Sequence, residues 1–337
     1  MDKSNFHSIA PNAFFLDVNN PKGLENYLKS RHVLEKEEEI LSLSRPGEGN
    51  MNLVLRVKTS SRSFIIKQSR PWVEKYPEIQ APINRTNIEA QFIQICIRDL
   101  ELKDFTPQLI HHLPDSFMMI VEDLGETKDF SNLYEKQRLA VEDLNTFLHY
   151  LGLLHSLEVE SFDLNMDMRI LNHTHIFSFP FQENNGFDLD QIQTELQILA
   201  NEVIYDKKLK TVIKELGDRY LEKGTTLIHG DYYPGSILKS EFGLKVIDAE
   251  FSFLGFAEFD YAVLYAHLIM TSQDGEVISL LMDNINSQPH LNVILVNKYA
   301  GVEILRRLLG VAQLPLDISV EEKRELVEKA RTLLIAS

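Results

Sequence analysis

The spacing of apolar positions changes along this chain, and the change predicts how it is organised. "GLENYLKSRHVL" (23–34) carries Leu24, Tyr27 and Leu28 at three- and four-residue intervals, the period of a helix with one apolar face. The acidic run "EKEEE" reads as a solvated face leading into the short strand "ILSLS". "MNLVLRVKT" and "SFIIKQS" are β-rich runs separated by the polar "SSR", the pattern of a hairpin. "INRTNIEAQFIQICIRDL" returns to helical spacing, with apolar residues at 88, 92, 95 and 96, and "QLIHHL" and "SFMMIVEDL" are strands turning around Pro114 and Asp115.

From about residue 136 the texture becomes helical. "LNTFLHYLGLLHSL", "IQTELQILANEVI" and "LKTVIKELGDRYLEKG" keep the helical period, as does most of the chain after 258. Between the first two, "NHTHIFSFPFQENNGFD" is aromatic, polar and aperiodic, and reads as a loop. The expected fold class is therefore α+β with two lobes: a strand-rich N-lobe over 1–123 and a mainly helical C-lobe over 124–337, parting near "VEDLGETKD".

Length and composition agree with this division. At 337 residues the chain is long for a single core, and 44% hydrophobic with 25% charged residues is ordinary for a globular protein. The net charge of −16 argues against a nucleic-acid partner, which would need a clustered excess of Lys and Arg. An anionic ligand would have to be met by a few placed cations and helix N-termini. The single cysteine, Cys96, lies in an apolar run and reads as a core thiol. His173 and His175 lack a nearby third ligand, which disfavours a metal site there. The start "MDKSNFHSIAPNAFF" lacks the character of a signal peptide, and no run has the roughly 20 apolar residues that span a bilayer. A cytoplasmic protein without a membrane partner is expected, and a homodimer stays open.

Chemistry concentrates in "LIHGDYYPGSILKSEFGLKVIDAEF" (227–251). Two apolar runs end in acids, so short buried strands would deliver Asp231 and Asp248 to one rim. Magnesium takes oxygen ligands and is usually held by one or two carboxylates plus phosphates, and phosphoryl transfer needs an acid to orient the attacking hydroxyl. Asp231 and Ser236 keep the five-residue interval of a kinase catalytic loop, with Ser in place of the metal-binding Asn. Asp248 to Glu250 then stands where such enzymes carry a metal-binding acid. The alternative, that these acids merely cap turns, loses weight because nucleotide-binding parts precede them in order. "GEGNMNLVLRV" places Gly47, Gly49 and Asn50 in a glycine loop that can turn backbone N–H groups toward phosphates. Lys67 lies on the next strand and Glu89 on the next helix, as a kinase lysine and its carboxylate partner do. The backbone around Glu122 and Leu124, where a strand runs into the linker, could bond an adenine.

These strings resemble the protein-kinase-like fold of the aminoglycoside phosphotransferase and choline kinase superfamily, and within it the 5-methylthioribose kinase family. The resemblance spans nearly the whole chain. It rests on "GEGNMNLV", "IIKQSRPWV", "HGDYYPGSI", "VIDAEFSF" and "GVEILRRLLGVAQ". It implies ATP and Mg2+ as cofactors, Asp231 as catalytic base, and Asp248, Glu250 and Ser236 as metal ligands. It also implies a substrate role for Arg306 and Arg307, which read otherwise as solvated helix residues. The string "YYP" departs from the family pattern, as does Gln313, so Tyr232 and Tyr233 become candidates for reshaping the acceptor side. The implied reaction is transfer of the ATP γ-phosphate to a small-molecule hydroxyl, with 5-methylthioribose giving its 1-phosphate. Two alternatives stay open: another small alcohol such as an aminoglycoside, choline or homoserine-type acceptor, and a nucleotide-binding module without catalysis.

Overall fold

A computed structural model of the chain describes residues 3–47 and 51–336. It forms two compact units, Met1–Thr127 with Ser240–Glu250, and Lys128–Lys239 with Phe251–Ser337.

The first unit is built on a five-stranded antiparallel sheet of β1 (Ile40–Ser44), β2 (Leu53–Thr59), β3 (Ser63–Gln68), β4 (Leu109–Leu113) and β5 (Met118–Glu122), in the spatial order β1-β2-β3-β5-β4. Helices α1 (Lys3–Ile9), α2 (Pro21–Ser30), α3 (Arg85–Cys96) and the short α4 (Leu102–Phe105) complete it with a later strand taken up below. Alternation sorts the sheet's faces, because successive side chains on a strand point to opposite sides. Leu53, Leu55 and Val57 of β2 join Phe64 and Ile66 of β3 in a core with Leu24 and Leu28 of α2. Ile65 takes the opposite face with Met119 and Val121, against Ala90 and Ile93 of α3. Lys67 has the parity of Ile65, so the sheet delivers it to the side where α3 lies.

Helix α3 buries more of its circumference than the 88, 92, 95, 96 stripe predicts. Glu89, Ala90 and Ile93 are buried beside Ile88, Phe92 and Cys96, while Ile95 is half-exposed. The reason is that α3 meets the sheet along one flank and covers buried polar partners along another. Cys96 is a free, buried thiol.

The second unit is mainly helical. Its elements are β6 (Lys128–Asp129), α5 (Val141–His155), α6 (Met166–His173), α7 (Leu196–Ile204), α8 (Lys207–Tyr220), β7 (Thr226–Ile228), β8 (Ile237–Ser240), α9 (Glu258–Met270), α10 (Gly275–Ser287), α11 (Val293–Leu309) and α12 (Val320–Ile335). Strand β9 (Gly243–Val246) belongs to the first unit, and β10 (Phe253–Gly255) pairs antiparallel with β7 in the second. Helices α9 and α11 are buried nearly all round, polar residues included, and form the centre of this unit.

The segment read as a loop after residue 172 is largely helical. Helix α6 widens at its end into a π-turn over Thr174–Ser178 and a 3₁₀ turn over Phe179–Phe181. A π-turn breaks the 3.6-residue period, so the apolar spacing hides the helix. Phe177 packs its ring against Tyr220 and Tyr299, which gives the aromatic run a core role. Among the described residues no helix is long and apolar enough to cross a membrane.

Candidate functional site

In the first unit the polar chemistry gathers around Lys67. Its ammonium donates to Glu89 Oε1 at 2.7 Å and to Asp248 Oδ1 at 2.5 Å. Burial disfavours the charged amine, but Asp248 and Glu89 outweigh it and raise Lys67 above its ordinary value, so it stays cationic. The Asp248 side chain is 51% exposed, unlike those of its two partners, and carries a carboxylate oxygen beyond the one on Lys67. Asp248 has φ = +64°, a left-handed conformation that Asp tolerates better than bulkier residues but at a cost, and such outliers cluster at functional sites.

Glu250 is 4% exposed and faces Arg85 at the start of α3. Arg85 Nε lies 3.1 Å from Glu250 Oε2, and Asn52 donates to the same oxygen at 2.9 Å. Burial pushes the Glu250 carboxyl up to about 7, against the pull of Arg85. Arg85 also donates to the carbonyls of Met51, Arg70 and Pro82. Helix α3 therefore carries two clamps one turn apart, Arg85 on Glu250 and Glu89 on Lys67. The oxygen of Glu250 nearest these donors is taken, which leaves Asp248 as the carboxylate of this cluster most open to a cation.

Gly47 lies in an exposed bend with open space where a Cβ would stand. Gly49 and Asn50 fall outside the described residues. Glu122 ends β5, with its backbone N–H on the Gln108 carbonyl at 3.0 Å and its side chain accepting from Gln108 N–H at 2.8 Å. Leu124 follows two residues later and is half-buried.

In the second unit the loop after β7 is held from behind by Asp260 of α9. Both oxygens of this fully buried carboxylate accept backbone N–H groups, from His229 at 2.8 Å and Gly230 at 2.9 Å, and His155 Nε2 lies 3.0 Å from Oδ2. Gly230 has φ = +82°, and a Cβ there would stand 2.4 Å from the Phe251 carbonyl oxygen, so the turn admits only glycine. The bracket leaves Asp231 partly open, its side chain 22% exposed.

Arg306 and Arg307 both turn toward Asp231. Their Nη2 atoms lie 3.6 Å and 3.3 Å from Oδ1. Neither is a solvated helix residue: their side chains are 7% and 11% exposed. Tyr233 is half-buried, with the Arg307 guanidinium 5.3 Å from its ring centre. Tyr232 is a core residue, stacked on Tyr150 and donating from its hydroxyl to the Phe147 carbonyl at 3.1 Å. Ser236 is buried, and its hydroxyl donates to the Asp231 carbonyl at 2.9 Å, which ties the loop back on itself. Gln313 donates to the Leu308 carbonyl at 2.8 Å near the end of α11.

Several partners carry no motif. Arg85, Asn52, Asp260, Glu303 and His267 hold the named residues, yet the sequence reading passes over them. Two left a signal. Asp260 is the one acid inside the mostly apolar "FDYAVLYAHLIM", and buried charges are paired. Glu303 precedes Arg306 and Arg307 by three and four residues, the spacing of helical ion pairs. Among the described residues no three or more His, Cys, Asp or Glu gather as a metal cage.

No family model matches the chain. A relative named methylthioribose kinase, from Bacillus cereus (strain B4264), is 25% identical over 353 aligned residues, covering 91% of this chain and 88% of the relative. Among solved structures, LicA in complex with AMP superposes with a TM-score of 0.52 at 15% identity, covering 93% of this chain and 97% of that one. Spectinomycin phosphotransferase APH(9)-Ia, in complex with ADP and spectinomycin, superposes with a TM-score of 0.51 at 13% identity, covering 94% and 97%. This chain is thus a distant homologue of proteins named methylthioribose kinase, built on the kinase-like fold of choline kinases and aminoglycoside phosphotransferases.

Proposed function

We propose that the chain is an ATP-dependent small-molecule kinase whose acceptor is a sugar hydroxyl, that of 5-methylthioribose at position 1. The observation that carries this reading is Asp231. It is a carboxylate held at a glycine-constrained turn by Asp260, partly open, and framed by two arginines. Homology to methylthioribose kinases over most of both chains supports the substrate.

In this reading the first unit takes the nucleotide. Lys67, fixed by Glu89, meets phosphate oxygens, and the linker backbone near Leu124 meets the base. The donor set of the first unit fits magnesium, a hard cation that keeps waters and phosphate oxygens as ligands: Asp248 offers an exposed carboxylate, with the buried Glu250 as a further oxygen group. Magnesium, when bound, neutralises charge on the phosphates.

Asp231 accepts the hydrogen bond of the acceptor hydroxyl, aims its oxygen at the γ-phosphorus and takes the proton as the O–P bond forms. The bond from phosphorus to the β,γ-bridging oxygen breaks, and ADP leaves. Positioning and charge neutralisation supply most of the effect, because the phosphoryl group passes through a loose transition state. Arg306 and Arg307 disfavour a cationic acceptor, since they already occupy the oxygen of Asp231 that such a group would seek.

The test is an acceptor panel of 5-methylthioribose, choline, homoserine and spectinomycin, each with ATP and Mg2+. Phosphorylation of 5-methylthioribose at the highest kcat/KM is expected. Preference for another member would move the chain to a different acceptor class, and ATP binding without transfer to any would favour a nucleotide-binding module.

A further inference from the structure

Arg306 and Arg307 are long, flexible side chains, and two of them do not converge on one carboxylate without restraint. Their restraint is Glu303, one turn back on α11 and 2% exposed. Arg307 Nε donates to Glu303 Oε1 at 2.8 Å, and Arg306 Nε donates to Oε2. With each Nε tied, an Nη2 group of each arginine is left pointing at Asp231.

The brace continues behind Glu303. His267 of α9 lies with Nε2 3.2 Å from Glu303 Oε1 and Nδ1 2.7 Å from the Tyr134 hydroxyl. Burial holds His267 neutral, down at about 4, although Glu303 pulls the other way. A neutral imidazole donates from one nitrogen and accepts at the other. Burial works against ionisation of Glu303, but Arg306 and Arg307 prevail and hold its carboxyl well below the usual range, so it only accepts. His267 must then donate from Nε2 and accept the Tyr134 proton at Nδ1, which fixes one tautomer. Among the described residues, Tyr220, Tyr233 and His175 are further titratable side chains around this cluster.

Three charges on the packed side of α11, Glu303, Arg306 and Arg307, are costly, and apolar side chains would fill such a seam at lower cost. What the charged set provides is direction. We infer that Glu303 is a positioning residue for the acceptor side: by gripping Arg306 and Arg307 at Nε, it aims their Nη groups at Asp231, with His267 and Tyr134 as its buttress. The inference rests on the proposed role of Asp231.

The test is Glu303→Gln in the full chain, alone and combined with Arg307→Gln, read by kcat, both KM values, and the arginine Nε–H resonances in 15N NMR. The variant is expected to lose about 10- to 100-fold in kcat and to keep the nucleotide KM within about twofold, as a positioning defect on one side requires. Two slowly exchanging Nε–H signals of the wild type should vanish. If Glu303 acts through the arginines, then Glu303→Gln should cost clearly less on top of Arg307→Gln than in the wild type, since only Arg306 is left to lose its aim. Unchanged kcat, full additivity, or retained Nε–H signals would overturn the inference. Should Glu303→Gln fail to fold, His267→Asn probes the same brace: a kcat loss with nucleotide binding kept supports it, and unchanged kcat overturns it. Asp231→Asn separates the two readings. If it abolishes transfer while Glu303→Gln does not, only the positioning role falls; if it leaves transfer unchanged, the proposed function falls, and the Nε–H signals alone decide whether Glu303 grips the arginines.

Discussion

In the first unit one buried cation, Lys67, stands between the carboxylates of Glu89 and Asp248, whereas in the second unit two guanidiniums, Arg306 and Arg307, stand between the carboxylates of Asp231 and Glu303. The first cluster carries one negative charge in excess, and the second is balanced. An excess carboxylate that is half open to solvent suits a further cation, and a balanced set gives no net pull on a charged acceptor. In the proposed reaction the two units would divide the electrostatic work: the first would receive metal and phosphates, the second would orient an uncharged hydroxyl.

The contrast can be broken by changing each cluster in turn. The largest expected effect is on the first. Lys67→Met leaves Glu89 buried without its cation, and breaking such a pair costs about 3 kcal/mol. Thermal unfolding should show a marked fall in Tm, and Lys67→Met with Glu89→Gln should recover much of it. No recovery would mean that the carboxylate pairing is not what Lys67 provides to stability.

A somewhat smaller effect is expected from pH, through His267 in the second cluster. Its folded-state value, about 4, lies below the ordinary 6.5, so the unfolded chain binds the proton more readily. The stability it contributes is present above pH 6.5 and is lost as pH falls from there toward 4, amounting to roughly 2 kcal/mol by pH 5. Denaturant titrations at pH 8 and pH 5 should show this loss in the wild type and less of it in His267→Gln. An identical pH dependence in both would remove His267 from the account. The smallest effect should come from Arg307→Lys, which keeps the charge but not the fork that spans Glu303 and Asp231. Its acceptor kcat/KM should drop about tenfold, or about 1.4 kcal/mol, with nucleotide KM unchanged. A matching loss on the nucleotide side would contradict the division between units.

Much of the fold was legible from spacing. The two β-rich runs around the polar "SSR" foretold the hairpin of β2 and β3, and in that hairpin parity sets Lys67 opposite Phe64 and Ile66. The π-turn at Thr174–Ser178 was not legible, because its wider turn erases the helical period that periodicity relies on. At the candidate site, the named residues stood out because rare residue types fell at informative intervals. Their supports did not. Arg85 meets Glu250 across 165 positions of sequence (250 − 85), and Asp260 meets the backbone of His229 and Gly230 from a helix of its own. Pairings of that range are set by tertiary packing and leave no local pattern. The buried state of Arg306 and Arg307 belongs to the same class, since an Arg pair on a helix looks solvated until a carboxylate is found on both sides of it.

The measurement that bears most directly on this account compares wild type with Asp231→Ala for two properties: calorimetric binding of ATP with Mg2+, and turnover of 5-methylthioribose. The account predicts nucleotide affinity within about twofold and turnover reduced about 10²-fold or more, the effect of losing a general base from a site whose other parts remain. Turnover that survives the substitution, or nucleotide binding lost together with it, would contradict the assignment of Asp231 to the acceptor hydroxyl.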